Sequence, residues 1–332
     1  MAKISTLELD PERPLWYIFV KEDYDENTSI LFIMVHHLLS DGMGIMSLFA
    51  MMNDKLSKEM ISHHRQIPFF HYYILPLLYL PIGIFWYTYI GLKSKSDPKM
   101  YPFHLNTGRQ SGEKIYLESK RYKLDDLRKC YNKFGKMKLN DYMFASISAG
   151  LSTYFNKLGV KDQSYFSVTI PANMKPLPNS LEEVKFCNTS TIWMANVPLS
   201  TDLDYVMKET RKYLDIGFSL PLLRTGMYVI NFFGSCPAAI ARMLMYGNTS
   251  RLNTVISNTP GPPKPMYFCD QKVKDIGGTG PNVGHSGLTI LISSYCGLVK
   301  LQILADKNLK MDPKVLMKHI EDQLDSYIVK YC

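Results

Sequence analysis

The chain has 332 residues, of which 46% are hydrophobic and 12% aromatic, and this composition excludes an intrinsically disordered protein. Its length suffices for one large or two ordinary domains with a substantial core. The formal net charge is +8, and the surplus is local, because residues 93–138 hold thirteen Lys or Arg against five Asp or Glu. This basic segment suits an anionic partner or a solvated face, and no nucleic-acid-reading motif accompanies it.

The first predicted elements form a β-hairpin. Tyr17–Val20 and Ile30–Val35 are short apolar runs, and the polar residues 21–28 between them predict a turn. The run Ile30–Val35 is unbroken and contains β-branched residues, which predicts a strand buried on both faces.

Two histidines, His36 and His37, follow directly on this strand. Asp41 and Gly42 then predict a tight turn, because glycine tolerates backbone angles that other residues avoid. Helical spacing of apolar residues after the turn predicts a helix, at Ile45, Leu48, Phe49 and Met52. Imidazole titrates near pH ~6.5, so a histidine held at a strand end suits general base catalysis. A loop with two structural histidines is the alternative, and a metal site is less favoured because no third ligand follows at a familiar spacing.

Residues 67–92 contain no Lys, Arg, Asp or Glu. A bilayer is crossed by about 20 apolar residues, but Pro76 and Pro81 interrupt a continuous helix here. Tyr and Trp are typical of membrane interfaces. The segment therefore favours a monotopic or re-entrant membrane-associated hairpin bent near the two prolines. The alternative is an aromatic insert buried against the protein itself.

The remaining chain divides into a basic linker at 93–112 and a domain at 113–332. Asn140 is the predicted N-cap of an apolar helix, and Asp141 follows it. Residues 217–247 are apolar but interrupted by Pro, Gly and Arg, which predicts broken core helices. The six cysteines form no C-x-x-C pair, so neither a zinc cluster nor a disulfide framework is indicated. Strands are predicted at 114–119, 165–170, 187–197, 253–257, 288–294 and 298–304.

Five stretches, in this order, resemble the wax ester synthase/diacylglycerol acyltransferase family of the HHxxxDG acyltransferase superfamily. They are Pro14-Leu15-Trp16, the double histidine through Gly42, Asn140-Asp141, Ser257-Asn258 with the Pro-Gly-Pro at 260–262, and the hairpin 288–306. The resemblance implies a chloramphenicol-acetyltransferase-like α/β fold with two mixed sheet-and-helix lobes around a cleft. Members usually carry a much longer stretch before the double histidine than the 35 residues here, so we expect the N-terminal lobe, residues 1–66, to be incomplete.

The same resemblance implies a reaction, the transfer of a fatty acyl group from acyl-CoA to diacylglycerol or a long-chain alcohol. His37 would be the general base, with His36 and Asp41 supporting its loop. Candidate oxyanion or substrate contacts are Gly42, Asn140, Asp141, Ser257 and Asn258. No metal or cofactor is expected, because acyl-CoA serves as co-substrate. The implied partners are a lipid alcohol and a membrane or lipid-droplet surface, on the cytosolic face, and not nucleic acid.

Two other classes of function stay open from the sequence. One is a catalytically inactive, membrane-associated protein that keeps the fold and binds lipid or a partner. The other is a condensation-domain-like enzyme that works on carrier-bound substrates. A P-loop, a G-x-S-x-G elbow and a complete G-x-G-x-x-G are missing from the sequence, so phosphate-loop, serine-hydrolase and dinucleotide-binding functions are poorly supported.

Overall fold

The computed structural model of the chain describes residues 1–54, 68–93, 105, 110–160, 163–173, 187–217, 220–249, 252, 254–282 and 286–332. The strands are β1 (Trp16–Asp25), β2 (Thr28–Val35), β3 (Lys114–Glu118), β4 (Tyr122–Lys123), β5 (Tyr165–Asn173), β6 (Ser190–Pro198), β7 (Thr254–Pro260), β8 (Tyr267–Phe268), β9 (Gln271–Lys272), β10 (Leu288–Tyr295) and β11 (Leu298–Asp306). The helices are α1 (Gly42–Met52), α2 (Leu75–Leu78), α3 (Leu80–Lys93), α4 (Leu124–Asn132), α5 (Leu139–Lys157), α6 (Leu203–Gly217), α7 (Leu220–Ser235), α8 (Ala238–Thr249) and α9 (Pro313–Tyr331). A 3-10 turn at Ile4–Thr6 and a π-helical turn at Phe70–Ile74 complete the set.

A seven-stranded mixed sheet organises the larger part of the molecule. Its order is β3-β11-β10-β7-β5-β6, with β4 paired to β11. Strand β7 runs parallel to both β5 and β10, and the other pairs are antiparallel. Most residues of the central strands β10 and β11 are buried, on both faces of the sheet. The predicted mixed α/β class is confirmed.

Helix α5 is the central helix of this layer, and every residue from Asp141 to Leu151 is buried. It packs against α6 and α9. The contact with α9 depends on Gly150, since a Cβ there would lie 2.6 Å from Cγ1 and 3.0 Å from the backbone nitrogen of Ile320. A larger residue would push the two helices apart and disturb the start of α5, which carries Asn140.

The N-terminal hairpin corrects one expectation. β1 and β2 pair only with each other among the described strands, and no residue of β2 is buried. Leu31 is 41% exposed, and Trp16 and Ile18 on β1 are each 47% exposed. The expectation of a strand buried on both faces is therefore wrong, because an apolar run reports only that burial is favourable and not that a second layer covers it.

A second expectation is wrong in part. Residues 217–247 do form helices broken near Pro237, and Leu222 and Leu223 of α7 belong to the core. In α8, Ile240 and Met243 are exposed.

The linker at 93–112 lies largely outside the described residues, and the division of the chain into domains stays a prediction.

A buried ion pair ties the first strand of the large sheet to its neighbour. Lys114 Nζ lies 2.8 Å from Asp306 Oδ2, and the backbone nitrogen and hydroxyl of Ser111 also donate to this carboxylate. Burial alone would raise the pKa of Asp306, but the hydrogen bonds from Lys114 and Ser111 outweigh burial and hold that pKa below its ordinary value of 3.8. A pKa lowered by folding means that the ionised carboxylate stabilises the fold above pH 3.8. This stabilisation is lost as pH falls through the folded-state pKa.

We expect Lys114→Met to raise the pH at which the chain unfolds in acid. Removing one partner of a buried ion pair costs about 3–5 kcal/mol, because the other charge stays buried without its partner. Circular dichroism recorded against pH measures the midpoint. Lys307→Met is the matched control, since the Lys307–Glu113 pair is exposed on both sides. Equal midpoints for the two variants would contradict the assignment.

Candidate active site

The loop between β2 and α1 is held by the first histidine of the motif. The backbone nitrogen of His36 donates to Leu15 O at 2.9 Å, which joins the Pro-Leu-Trp stretch to the double histidine. The backbone nitrogen of Leu38 donates to His36 Nδ1 at 3.1 Å, and that of Leu39 to His36 O at 2.9 Å. The ring nitrogen Nδ1 of His36 therefore accepts a hydrogen bond from within its own loop.

Asp41 joins the loop to the large sheet. Its side chain is buried, with the residue 2% exposed. Oδ1 accepts from the backbone nitrogen of Gly44 at 2.9 Å and so caps α1. Oδ2 accepts from the backbone nitrogen of Thr189 at 2.9 Å, just before β6. One carboxylate thus fixes both the start of α1 and the position of that helix beside the sheet.

His37 is exposed, and its ring meets Asn188. Nδ1 of His37 lies 2.8 Å from Nδ2 of Asn188, which also donates to the carbonyl oxygen of His37 at 3.0 Å. The sequence reasoning missed Asn188 and Thr189, because it placed a strand over residues 187–197, whereas β6 begins at Ser190. The signal available was the polar run Asn188-Thr189-Ser190 ahead of the apolar residues.

Strand β7 contacts two other motif stretches near its end. A Cβ at Gly42 would lie 3.4 Å from the hydroxyl oxygen of Thr259, at the end of β7. One residue earlier, Asn258 Nδ2 donates to Asn140 Oδ1 at 2.5 Å, in the first turn of α5. The Ser-Asn motif therefore contacts both the turn after the double histidine and the Asn-Asp motif, although the three lie far apart in sequence.

Two of the candidate residues point elsewhere. Asp141 is fully buried and accepts from the backbone nitrogen of Lys138 at 2.7 Å and from Arg211 Nη1 at 3.2 Å. Burial raises the pKa of Asp141, against the opposing effect of these two donors. Ser257 precedes Asn258 on β7, and successive strand residues face opposite sides. Neither is brought to the contact between Asn140 and Asn258.

The expected N-cap role of Asn140 is wrong. Helix α5 begins at Leu139, so Asn140 lies inside the first turn. The backbone nitrogen of Lys138 donates the reciprocal bond of the cap to the Asp141 carboxylate. The side chain of Asn140 is thereby released from capping and is available to Asn258.

The C-terminal end of α1 is also held by hydrogen bonds. Asn53 Oδ1 accepts from the backbone nitrogen of Tyr267 at 2.6 Å. The Asp54 carboxylate accepts from the backbone nitrogens of Cys269 and Asp270, at 3.1 and 2.7 Å. Both of these residues adopt positive φ, 49° and 61°, which aims their N–H groups at one acceptor. Bonds at both ends of α1 fix the loop that carries His37.

The segment without charged residues, as far as the structure describes it, has one side packed against the rest of the protein. Thr225 Oγ1 of α7 donates to Pro76 O at 3.0 Å, and a Cβ at Gly83 would lie 2.4 Å from Thr225 Cγ2. Trp86 stacks on the buried Trp193 of β6, with ring centroids 5.7 Å apart. The helical pieces break at Tyr79, between the two prolines. The other side, which we term the apolar face, consists of six side chains more than half exposed: Phe69, Phe70, Leu77, Leu78, Ile82 and Phe85.

Over the described residues, no single helix has both the length and the hydropathy to cross a membrane. The helices Leu203–Gly217 and Pro221–Ser235, which are bent by 63° relative to each other, reach this length and hydropathy only when they are taken together.

The chain is similar to known proteins of one kind. The family model described as the WS/DGAT C-terminal domain matches residues 221–327. The chain is 23% identical to wax ester synthase/diacylglycerol acyltransferase 7 of Arabidopsis thaliana, over 100% of this chain and 79% of that protein. It is 21% identical to number 10 of the same plant, over 98% of this chain and 76% of that protein.

A solved structure supports the fold. The wax ester synthase/diacylglycerol acyltransferase from Marinobacter aquaeolei VT8 matches with a TM-score of 0.60 and 16% identity, over 99% of this chain and 74% of that chain. The expected chloramphenicol-acetyltransferase-like fold is confirmed by this match. The matched C-terminal domain and the relatives that align with the whole chain indicate one family. Residues 221–327 match the WS/DGAT C-terminal domain, and over its length the chain is similar to wax ester synthase/diacylglycerol acyltransferases.

Proposed function

We propose that this chain is an O-acyltransferase that moves a fatty acyl group from acyl-CoA to diacylglycerol or a long-chain alcohol. Similarity to acyltransferases of this type supports the proposal. The observation that carries it is the contact of the double-histidine loop with the start of β6 and with the end of β7, where Asn258 in turn bonds to Asn140 of α5. Long-range contacts of Asp41 and Gly42 bring the exposed imidazole of His37 to these elements.

In the proposed reaction, His37 removes the hydroxyl proton of the acceptor alcohol while the hydroxyl oxygen attacks the thioester carbonyl carbon. A carbon–oxygen bond forms, and the carbonyl electrons move to oxygen. Collapse of this tetrahedral oxyanion breaks the carbon–sulfur bond, and the departing thiolate takes the proton back from His37. General base catalysis of this kind contributes about 10²–10⁴ in rate.

The amide pair Asn140–Asn258 is the proposed oxyanion site. Asn258 donates to Asn140 Oδ1, which turns the Asn140 amide so that its Nδ2 faces away from Asn258. This leaves the N–H groups of Asn140 for another acceptor. In the proposal they donate to the thioester oxygen as charge develops on it, which is worth about 10²–10³ in kcat for one donor.

The test is an assay of purified protein with labelled acyl-CoA and each acceptor separately. The proposal expects an ester product that requires acyl-CoA and one of the two acceptors. Product that forms only from a carrier-bound donor would instead favour the condensation-domain-like class. Vesicle binding without turnover of either acceptor would favour the inactive lipid-binding class and contradict the proposal.

We also propose that the apolar face lies on a membrane or lipid-droplet surface, on the cytosolic side. The inner side of the segment is already occupied by α7 and β6, while the six apolar side chains face outward with no charged residue among them. Aromatic and aliphatic side chains in this arrangement suit insertion into the headgroup and acyl boundary of a bilayer. The acceptor lipids would then enter from the surface on which the protein is bound.

We expect the double variant Leu78→Glu and Phe85→Glu to bind vesicles of phosphatidylcholine and phosphatidylserine about tenfold or more weakly. Burial of each large apolar side chain is worth about 1.5–3 kcal/mol, and 1.4 kcal/mol is tenfold in affinity. Co-sedimentation with the vesicles measures this. Val329→Glu is the control, because Val329 is equally apolar and exposed but lies on α9. Equal binding of both variants would contradict the assignment of the surface.

A further inference from the structure

The orientation of the Asn188 amide is fixed independently of His37. Its Oδ1 accepts from the backbone nitrogen of Ser190 at 3.1 Å, and a backbone N–H can only donate. Its Nδ2 donates to the carbonyl oxygen of His37 at 3.0 Å, and a carbonyl can only accept. The two ends of the amide, which are otherwise easily interchanged, are therefore identified by their partners.

This orientation determines the proton position on His37. Nδ2 of Asn188 carries two hydrogens and no lone pair available for acceptance, so at 2.8 Å from His37 Nδ1 it must donate. Nδ1 is then the unprotonated nitrogen, and the single proton of the neutral ring lies on Nε2. Among the described residues, Nε2 of His37 has no hydrogen-bond partner that would favour the opposite tautomer.

We propose that Asn188 is a positioning residue that locks His37 in a resting tautomer unable to accept a proton at Nε2. This inference rests on the proposed function, in which His37 is the base. While Asn188 donates to Nδ1, that hydrogen bond occupies the only nitrogen lone pair of the neutral ring that can accept a proton. For Nε2 to take a hydroxyl proton, the ring proton must first move to Nδ1, and the bond to Asn188 must break. Release of Asn188 therefore precedes the chemical step and lowers the fraction of competent enzyme.

The connection to Asp41 supplies a route for this release. Thr189 follows Asn188 and bonds to the Asp41 carboxylate, and Asn188 itself bonds to the carbonyl oxygen of His37. A rotation of the Asn188 side chain can break its contact to the ring while the Thr189–Asp41 bond keeps the loop in place. Asn188 is exposed, so water or a substrate hydroxyl can replace it at Nδ1.

The test is nitrogen-15 NMR of the imidazole rings in the full chain, at a pH at which His37 is neutral. Loss of one signal set in His37→Ala assigns the His37 resonances. We expect the wild type to show the Nε2–H tautomer. Asn188→Asp should show the Nδ1–H tautomer, since a carboxylate can only accept. Asn173→Asp is the matched control, because Asn173 contacts Thr189 and not His37, and it should leave the tautomer unchanged.

Wild-type protein in the Nδ1–H tautomer would overturn the lock whether or not His37 is catalytic, because this measurement does not depend on turnover. Activity provides the second readout. With the lock removed, kcat of Asn188→Asp should rise at unchanged KM. A fall in kcat while the tautomer has switched would overturn the inhibitory role of Asn188. Failure of the proposed function would appear differently, as full activity in His37→Ala.

Discussion

Acyl transfer by a His37→Ala variant should be about 10²–10⁴-fold slower than that of the wild type, because alanine has no group that can remove the hydroxyl proton. His37 is exposed and packs against no core side chain, so the variant should fold normally. The loss should therefore appear in kcat with little change in the unfolding transition. Labelled ester formed per unit time from acyl-CoA and the better of the two acceptors measures the effect.

The control for this variant is His71→Ala. His71 is also exposed but lies in the π-helical turn Phe70–Ile74, and it is not part of the apolar face as defined above. In detergent solution, its replacement should leave the rate within the error of the assay. Equal rates for the wild type and the His37 variant would remove His37 from the chemistry.

Asp41→Ala should lower the free energy of unfolding by about 1.5–5 kcal/mol. Part of this is the lost cap of α1, worth about 0.5–2 kcal/mol. The remainder comes from the backbone N–H of Thr189, which would be left without its acceptor in a partly buried site at a cost of about 1–3 kcal/mol. Activity should fall as well, since the His37 loop and the start of β6 are no longer joined. Denaturant unfolding followed by circular dichroism gives the energy.

Asp312→Ala separates the two contributions. Asp312 caps α9 through one bond to the backbone nitrogen of Lys314, at 2.8 Å, and is exposed. Its replacement removes a cap and nothing else, so we expect a loss of about 1 kcal/mol. The excess loss in the Asp41 variant then measures the link to Thr189. If Asp41→Ala destabilises no more than Asp312→Ala, that link contributes nothing.

The sequence predicted elements whose signals are local. The large sheet follows from short apolar runs, and the strands at 114–119, 165–170 and 298–304 are found within a few residues of their predicted bounds. The helical spacing of Ile45, Leu48, Phe49 and Met52 correctly predicted α1. These features depend on the periodicity of neighbouring residues, which is readable without knowing the fold.

What the sequence did not predict depends on distant residues. Asn188 and Thr189 are 151 and 148 residues from the groups they bond, so no local pattern marks them. Strand β2 is apolar enough for burial, yet no further layer covers it among the described residues. Asn140 was assigned to capping because its residue type suits that role, but Asp141 makes the reciprocal bond one position later. The resemblance to a family supplied the connection between motifs that periodicity could not.

The central claim is that His37 and Asn140 face the same reacting carbonyl. A crystal structure of the chain with a non-hydrolysable acyl-CoA thioether ketone tests it directly. The account predicts the ketone oxygen within about 2.7–3.1 Å of Asn140 Nδ2, and the ketone carbon open to an alcohol oxygen bonded to His37 Nε2. An analogue bound with its carbonyl out of reach of both side chains would contradict the assignment of the site.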